Sequence, residues 1–355
     1  MDLAKIGSKG RLGEPHVADF SGLRAWARAL LCLAVFPLGA SGQAVGQPRS
    51  RGPLTWEEGG PVHRIAYTPA FETADVLPRG ELSSDLWLGF SNIFEQDSSA
   101  THVVFLDTER LLSSLSVRWG AAEHLEVGAR MTLETTGGGF LDSFVHWYHE
   151  RMGFGQANRD RFPENQYSQR LTNGGATSYV DLRRRTLALA DVQLFAKWSV
   201  IPGVDGGPAL SLRLASRVPT RSNRVAPERA DAAVVALGRL GGGPWYLHGM
   251  VGAGMVRASP ELDPVLRDVT TFFGFAVERA LGESMAALVQ YQLASPVLRG
   301  FEHRELDWPA SNLVLGVAGR WGETWSWDAS FQEDLPADTP AIDFTLGFRV
   351  SRRWR

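Results

Sequence analysis

Residues 124–133 read His-Leu-Glu-Val-Gly-Ala-Arg-Met-Thr-Leu. Leu125, Val127, Ala129, Met131 and Leu133 share one parity, and His124, Glu126, Gly128, Arg130 and Thr132 share the other. Successive side chains of a strand point to opposite faces, so this stretch predicts a strand with one apolar and one polar face. The same period recurs outward in both directions. Leu82, Leu86, Leu88 and Phe90 alternate with Ser83, Asp85, Trp87 and Gly89; Met285, Ala287, Val289, Tyr291 and Leu293 alternate with Ser284, Ala286, Leu288, Gln290 and Gln292. Trp325 to Phe331 and Phe344 to Val350 repeat it, and weaker copies fit 111–119, 188–200, 209–218, 232–240, 245–257, 270–279 and 311–321. Counted together, these are twelve strands between residue 80 and the end of the sequence.

The connections alternate as well. Segments 91–110, 134–187, 219–231, 258–269, 295–310 and 333–341 are long, whereas 120–123, 201–208, 241–244, 280–283 and 322–323 are short and rich in turn residues. An even number of strands with short turns on one rim and long loops on the other is the arrangement of a transmembrane antiparallel β-barrel, with periplasmic turns and extracellular loops. Tryptophan placement agrees with it. Trp119, Trp198, Trp245, Trp321, Trp325 and Trp354 lie on the apolar parity, beside short turns or near the last residue, as an aromatic girdle at one lipid–water boundary requires. The expected fold is therefore all-β: a barrel of about twelve strands over residues 80–355, with a short helix in its longest extracellular loop.

Composition removes several other classes. A net charge of -3 gives no broad basic surface for nucleic acid. Mean hydropathy is -0.13 and one long apolar run exists, which excludes a polytopic helical membrane protein. That run, Ala29 to Phe36, follows Arg24 and Arg28 and precedes small residues, so 1–44 reads as a signal peptide cleaved after Ala44. Its loss removes five basic and three acidic residues, leaving a net charge of -5, together with the single cysteine, Cys32. Disulfides, thiol catalysis and zinc–thiolate sites go with it. Residues 45–79, rich in Pro, Gly and Arg without a period, are expected to form an irregular arm on the periplasmic side.

The polar parity places Glu126, Arg130, Lys197, Arg213, Arg217, Glu278, Arg320, Asp328, Asp343 and Arg349 on the lumen wall. Paired across a narrow interior they fill it; separated, they line a wet channel. In the long loop, Leu141, Phe144, Val145, Tyr148 and Met152 fall at helical spacing, and Asp142, His146 and His149 share the opposite face. Their spacing could hold an ion, but a solvated polar face is the commoner use, and no metal or cofactor site is assigned. The apolar stripe needs cover, and two placements offer it. The helix either enters the barrel mouth as a constriction formed by Asp142, His146 and His149, the preferred expectation, or lies flat at the lipid-headgroup boundary.

The segment Leu141-Asp142-Ser143-Phe144-Val145-His146-Trp147-Tyr148-His149, with Gly153-Phe154-Gly155 and Arg159 after it, and the aromatic-terminated last strand resemble a domain-of-unknown-function family of Gram-negative outer-membrane barrel proteins. The resemblance implies the fold and the membrane, and carries no activity. Arg355 after Trp354 departs from the usual aromatic ending. His102, Ser113 and His303 lie near external loops without the spacing of a nucleophile and its base, so no catalytic residue is assigned. A porin-like channel for a small solute is the expected function, with outer-membrane lipid and the barrel-insertion machinery as partners. A structural barrel with a sealed lumen and a barrel lipid hydrolase are the alternatives.

Overall fold

The computed structural model describes residues 50–354 apart from 58, 99–101, 154–158, 174–182, 204–206, 219, 221–229, 257–264, 301–303 and 335–343. The signal segment 1–44 and Asp343 lie outside the described residues, as does His303. Thirteen strands are present among those described: β1 (Leu82–Ser98), β2 (His102–Ala122), β3 (Leu125–Gly137), β4 (Ser168–Asn173), β5 (Arg185–Ile201), β6 (Ala209–Val218), β7 (Asp231–Gly242), β8 (Trp245–Met255), β9 (Val269–Ala280), β10 (Met285–Ala294), β11 (Ala310–Trp321), β12 (Trp325–Asp334) and β13 (Phe344–Trp354). Twelve of them pair antiparallel with their neighbours, and β1 pairs with both β2 and β13, which closes the barrel. Closure leaves no strand edge unpaired, the condition for a sheet surrounded by hydrocarbon.

Alternation does the sorting. Leu86 is 48% exposed on the outer face, while its neighbour Trp87 is 2% exposed on the inner one. At the rim of short turns, Leu82 stands in register with Trp119 on one side and Trp354 on the other, Leu125 with Trp198, and Trp321 with Trp325. The six girdle tryptophans all project outward there, each between 39% and 63% exposed. Both β1 and β13 meet this turn rim at Leu82 and Trp354.

The opposite, loop-bearing rim differs from the expectation in one hairpin. Residues 91–110 are strand for most of their length: β1 and β2 stay paired up to Ser98 and Val103, and β4 extends the sheet beside β2 between His102 and Asp107. Period 2 fades there for a physical reason. Above the bilayer lipid no longer sorts the faces, so both mix apolar and polar residues: Ile93, Val104 and Leu106 are buried inside with Glu95 and Arg110, while Phe94 and Phe105 pack with Phe162 outside on the parity that also carries Asn92 and Glu109.

The arm is the larger difference. Irregular it is, apart from one 3-10 turn at His63–Ile65, but residues 50–79 run inside the barrel instead of outside on the periplasmic side. Ser50 and Arg51 enter at the turn rim beside Glu278, Arg64 reaches Asp191 near the loop rim, and Leu77 is back at Glu126 before Pro78 meets Gly120. The path is a hairpin of two limbs. Leu54, Trp56, Ile65, Tyr67, Phe71 and Leu77 are each no more than 4% exposed, so the arm gains the burial that an aqueous position would deny it. Wall glycines give room for it. A Cβ at Gly274 would stand 3.0 Å from the Phe71 ring, and one at Gly316 3.0 Å from the Leu54 methyls. Phe71→Ala should therefore cost about 3–5 kcal/mol of barrel stability; an unchanged temperature of loss of the compact, heat-modifiable gel band would place Phe71 outside the wall.

Candidate functional site

Many charged side chains converge in the lumen, and most of them are placed by the arm that runs through it. Its backbone forms no ladder, so apart from the turn that bonds Arg64 N to Gly60 O and Ile65 N to Val62 O, peptide groups buried away from water need side-chain partners. The inner wall supplies them. Gln290 accepts from Leu54 N at 3.1 Å and donates to Leu54 O at 3.3 Å. Trp87 Nε1 donates to Thr55 O at 3.1 Å, Arg110 to Gly59 O at 2.5 Å, and Arg217 to the carbonyls of Arg64 and Ile65 at 2.7 and 2.6 Å. Glu278 accepts from Arg51 N at 2.6 Å and Ser50 Oγ at 2.7 Å, and Glu126 from Leu77 N at 3.0 Å.

Ion pairs form the second tier. Lys197, fully buried, stands 3.2 Å from Glu126 and 3.6 Å from Glu72 of the arm. Arg213 donates to Glu72 at 2.9 Å and lies 4.0 Å above the Phe195 ring. Arg130 meets Glu57 at 2.7 Å, Arg64 meets Asp191 at 2.5 Å, and Arg239 bonds Asp75. Within the wall, Arg349 joins Asp328 at 2.6 Å, Arg118 joins Asp85 at 3.1 Å, and Arg217 bonds Asp231. Of the wall residues expected in the lumen, Glu126, Arg130, Lys197, Arg213, Arg217, Glu278, Asp328 and Arg349 thus form these contacts, and Arg320 lines the wider space at the turn rim. Asp343 is outside the described residues. The arm's own Glu57, Arg64, Glu72 and Asp75 carry no period and escaped the sequence reading. The wall held a signal for them: Ala215, Ala233, Val235, Leu237, Ala286 and Leu288 face inward, where a water-filled channel has no use for apolar side chains.

The two ends of the lumen differ. At the loop rim, Val62, Ile65 and Ala66 of the arm pack with Ile93, Val104, Leu106, Leu171, Val265 and Leu298 in a dry cap. Leu266 and Leu298 pair across it as an isolated bridge. At the turn rim a vestibule of about 640 Å³ opens between the two limbs and the wall, and residues Arg51, Gly52, Thr73, Arg118 and Arg349 continue into an inner cavity of about 60 Å³. Among the described residues the lumen is thus open at the turn rim and packed with apolar side chains at the loop rim.

The loop helix, α1 (Asp142–Met152), does not constrict the lumen. It lies on the outside of the wall at the loop rim. Phe140 stacks on Phe90, and Phe144 and Tyr148 pack on Phe344 and Phe331, all positions of the outward parity. Outward-facing Glu109 accepts the backbone N–H of Phe140 at 2.7 Å and that of Leu141, while Asn92 donates to Asp142 at 3.0 Å. Asp142 also receives Arg159 at 2.7 Å and Asn165 N at 2.6 Å, which ties the loop together. His149 stands 3.9 Å from Glu333, also on the outer face, and His146 lines a small cleft with Asp107 and Phe162. The constriction assigned to Asp142, His146 and His149 is thus corrected: the arm already occupies the lumen, so the helix's apolar stripe finds cover on the outer wall. Gly153, left-handed at φ 77°, closes the helix by donating to His149 O. Burial pushes the Tyr148 phenol up, with Glu333 adding to the effect, so it stays neutral. Exposed Phe140, Phe144 and Trp147 then form an upper aromatic edge facing the membrane boundary. Ser113 and His102 stand on opposite faces of β2, too far apart in orientation to act on one substrate.

A closed twelve-strand wall, an apolar outer belt and an indole girdle define a β-barrel of the outer-membrane type. The chain belongs to the family described as "Protein of unknown function (DUF3187)", whose model matches residues 30–354. No curated protein matches the sequence. Among solved structures it is similar to the COG4313 outer membrane channel from Pseudomonas putida F1, at 12% identity and a TM-score of 0.51, over 79% of this chain and 98% of that one. It is also similar to the NanC porin, at 8% identity and a TM-score of 0.43, over 76% of this chain and 98% of that one. At such identities the likeness is one of fold.

Two outcomes follow from this geometry. Lys197→Met leaves Glu126 buried without its cation and should destabilise the barrel by about 3–5 kcal/mol, read as a shift in denaturant midpoint. Deleting residues 140–152 should leave the single-channel conductance of an opened barrel unchanged; an increase would return α1 to the pore.

Proposed function

We propose that the protein is an outer-membrane barrel that passes a small solute and is shut at rest by its own N-terminal arm. The turn rim faces the periplasm and the loop rim the cell exterior, with outer-membrane lipid around the girdle and the barrel-insertion machinery as the assembly partner. One observation carries the reading: the vestibule penetrates from the turn rim to the middle of the barrel, beside the Glu72–Asp75 stretch of the arm, which is held by ionic and hydrogen bonds. Such contacts can be exchanged for water or solute as the arm moves, whereas a barrel built only for structure has no use for a wet half-channel. The alternative of a sealed structural barrel is favoured by the dry cap. An enzymatic role finds little support. Ser50 Oγ lies 3.4 Å from His248 Nε2, but the hydroxyl donates to Glu278 at 2.7 Å and the same imidazole nitrogen meets that carboxylate at 2.9 Å, so the three tie the arm to the wall. The outer-membrane channel of similar fold supports conduction by analogy alone.

Planar-bilayer recording separates the two readings. Intact protein should show rare, brief openings, and the double change Glu72→Gln with Asp75→Asn, which loosens the second limb, should raise open probability about tenfold, equivalent to about 1.4 kcal/mol. Deletion of residues 50–76 should leave a permanently open pore. Silence of both the intact protein and the double variant, with an open deletion variant, would identify a sealed structural barrel.

A further inference from the structure

We propose that the inner cavity is a binding site for a small oxyanion, a carboxylate or phosphate group, which takes the place of the arm's own carboxylates. The cavity of about 60 Å³ lies between the limbs and is lined by five guanidinium side chains, those of Arg51, Arg118, Arg130, Arg213 and Arg349. Its only lining carboxylates are Glu72 and Asp85. Each acid behind the lining has a definite origin. Asp85, Glu126 and Asp328 belong to the wall; Glu57 and Glu72 come from the arm. In the wall alone, Arg118, Arg130, Lys197, Arg213 and Arg349 therefore face three carboxylates, an excess of two positive charges. The arm brings two carboxylates to that excess, with Arg51 as its own cation at the cavity lining. Glu57 and Glu72 occupy the wall's anion-binding groups as internal ligands.

Arg213 is where exchange is easiest. It gives Nη1 to Glu72, and its Nε and Nη2 have no hydrogen-bond partner although only 2% of the residue is exposed. Phe195 holds the guanidinium plane from one side at 4.0 Å. A planar fork with unused donors accepts a carboxylate or phosphate through two parallel bonds, a geometry one amide or hydroxyl cannot match. One water needs about 10–15 Å³ of such cavity space, so the cavity has room for an acid group of a few heavy atoms. The rest of a solute would extend into the vestibule of about 640 Å³, which leads to the turn rim. The site deepens the reading of an arm-closed channel by giving its solute a charge and a side of entry, and it gives the solute a means of loosening the arm: each anion bound at Arg213 releases Glu72.

The test is calorimetric titration of the folded full-length protein in detergent with inorganic phosphate and, separately, with butyrate, the compact gel band serving as the check on folding. Both classes share the chemistry, and their relative affinities tell a phosphate-bearing from a carboxylate solute. Glu72→Gln should tighten anion binding at least fivefold, because Arg213 and Lys197 lose their internal competitor, and Arg213→Gln should weaken it at least tenfold. If Arg213→Gln does not fold, the comparison of intact protein with Glu72→Gln decides alone. Absence of saturable binding in both, looser binding in Glu72→Gln, or equal binding of the dication putrescine would overturn the proposal. Binding needs no ion flow, so saturable binding beside silent bilayers would sink the channel reading and leave the site, and the reverse result would do the opposite.

Discussion

A peptide group buried away from water inside a membrane barrel has to be paired, and this constraint shapes both the wall and what it encloses. The wall meets it by closure of β1 on β13. The arm cannot, because residues 50–79 form no strand. It borrows side chains instead, and the inner parity of the wall is composed accordingly: amides and guanidiniums such as Gln290, Arg110 and Arg217 point at main-chain atoms of the arm. Polar inward residues thus have two uses in one barrel. They bond the arm's backbone along its length, and they bind its acids where the limbs run past mid-depth.

The same constraint explains the apolar residues on the inner face. A hairpin of aromatic side chains buried in a purely polar lumen would strip water from wall groups without repaying it, so the wall turns small and apolar where Phe71 and Tyr67 pass, at Ala215, Ala233, Ala276 and Met250. Where Leu54 and Trp56 pass, it offers Ala286, Leu288 and Val314. Fit is local. Glycine at 274 and 316 sits where a limb comes nearest, and any side chain there would have to displace the ring or methyls that face it.

How much of this was legible in the sequence follows from which face each residue serves. Lipid imposes an unbroken apolar parity, so the strands, the girdle from Trp119 to Trp354 and the two rims could be read from alternation alone. The wall charges, Lys197 and Glu126 among them, were legible as inward for the same reason. Their partners were not, because the arm is shaped by a surface made of twelve separate strands and carries no period of its own. The β1–β2 hairpin faded from view at Ser91 for a related reason: once out of the bilayer, lipid no longer sorts the two faces of a sheet. The helix at Asp142–Met152 was visible from its spacing, but an apolar stripe says only that cover exists. Whether the cover is the pore or the outer wall depended on the arm having filled the pore first.

The two rims give the arm's halves different mechanical roles. Near the loop rim the bend at Val62–Ala66 is buried in apolar contacts drawn from seven separate segments of the wall and loops, and moving it would expose that surface to water at a cost that rises with area. Near the turn rim the second limb is held by Glu72, Thr73 and Asp75 through charged groups bordering a wet vestibule, where a departing ion pair is replaced by hydration or by another ion. Asp75 is already 40% exposed at its side chain. Movement should therefore begin at the turn rim and work inward, with the apolar bend as the fixed point. On the proposed gating, the Glu72–Asp75 stretch, whose bonds lie beside water that can replace them, would loosen before Tyr67 and Phe71, which pack against the apolar part of the wall.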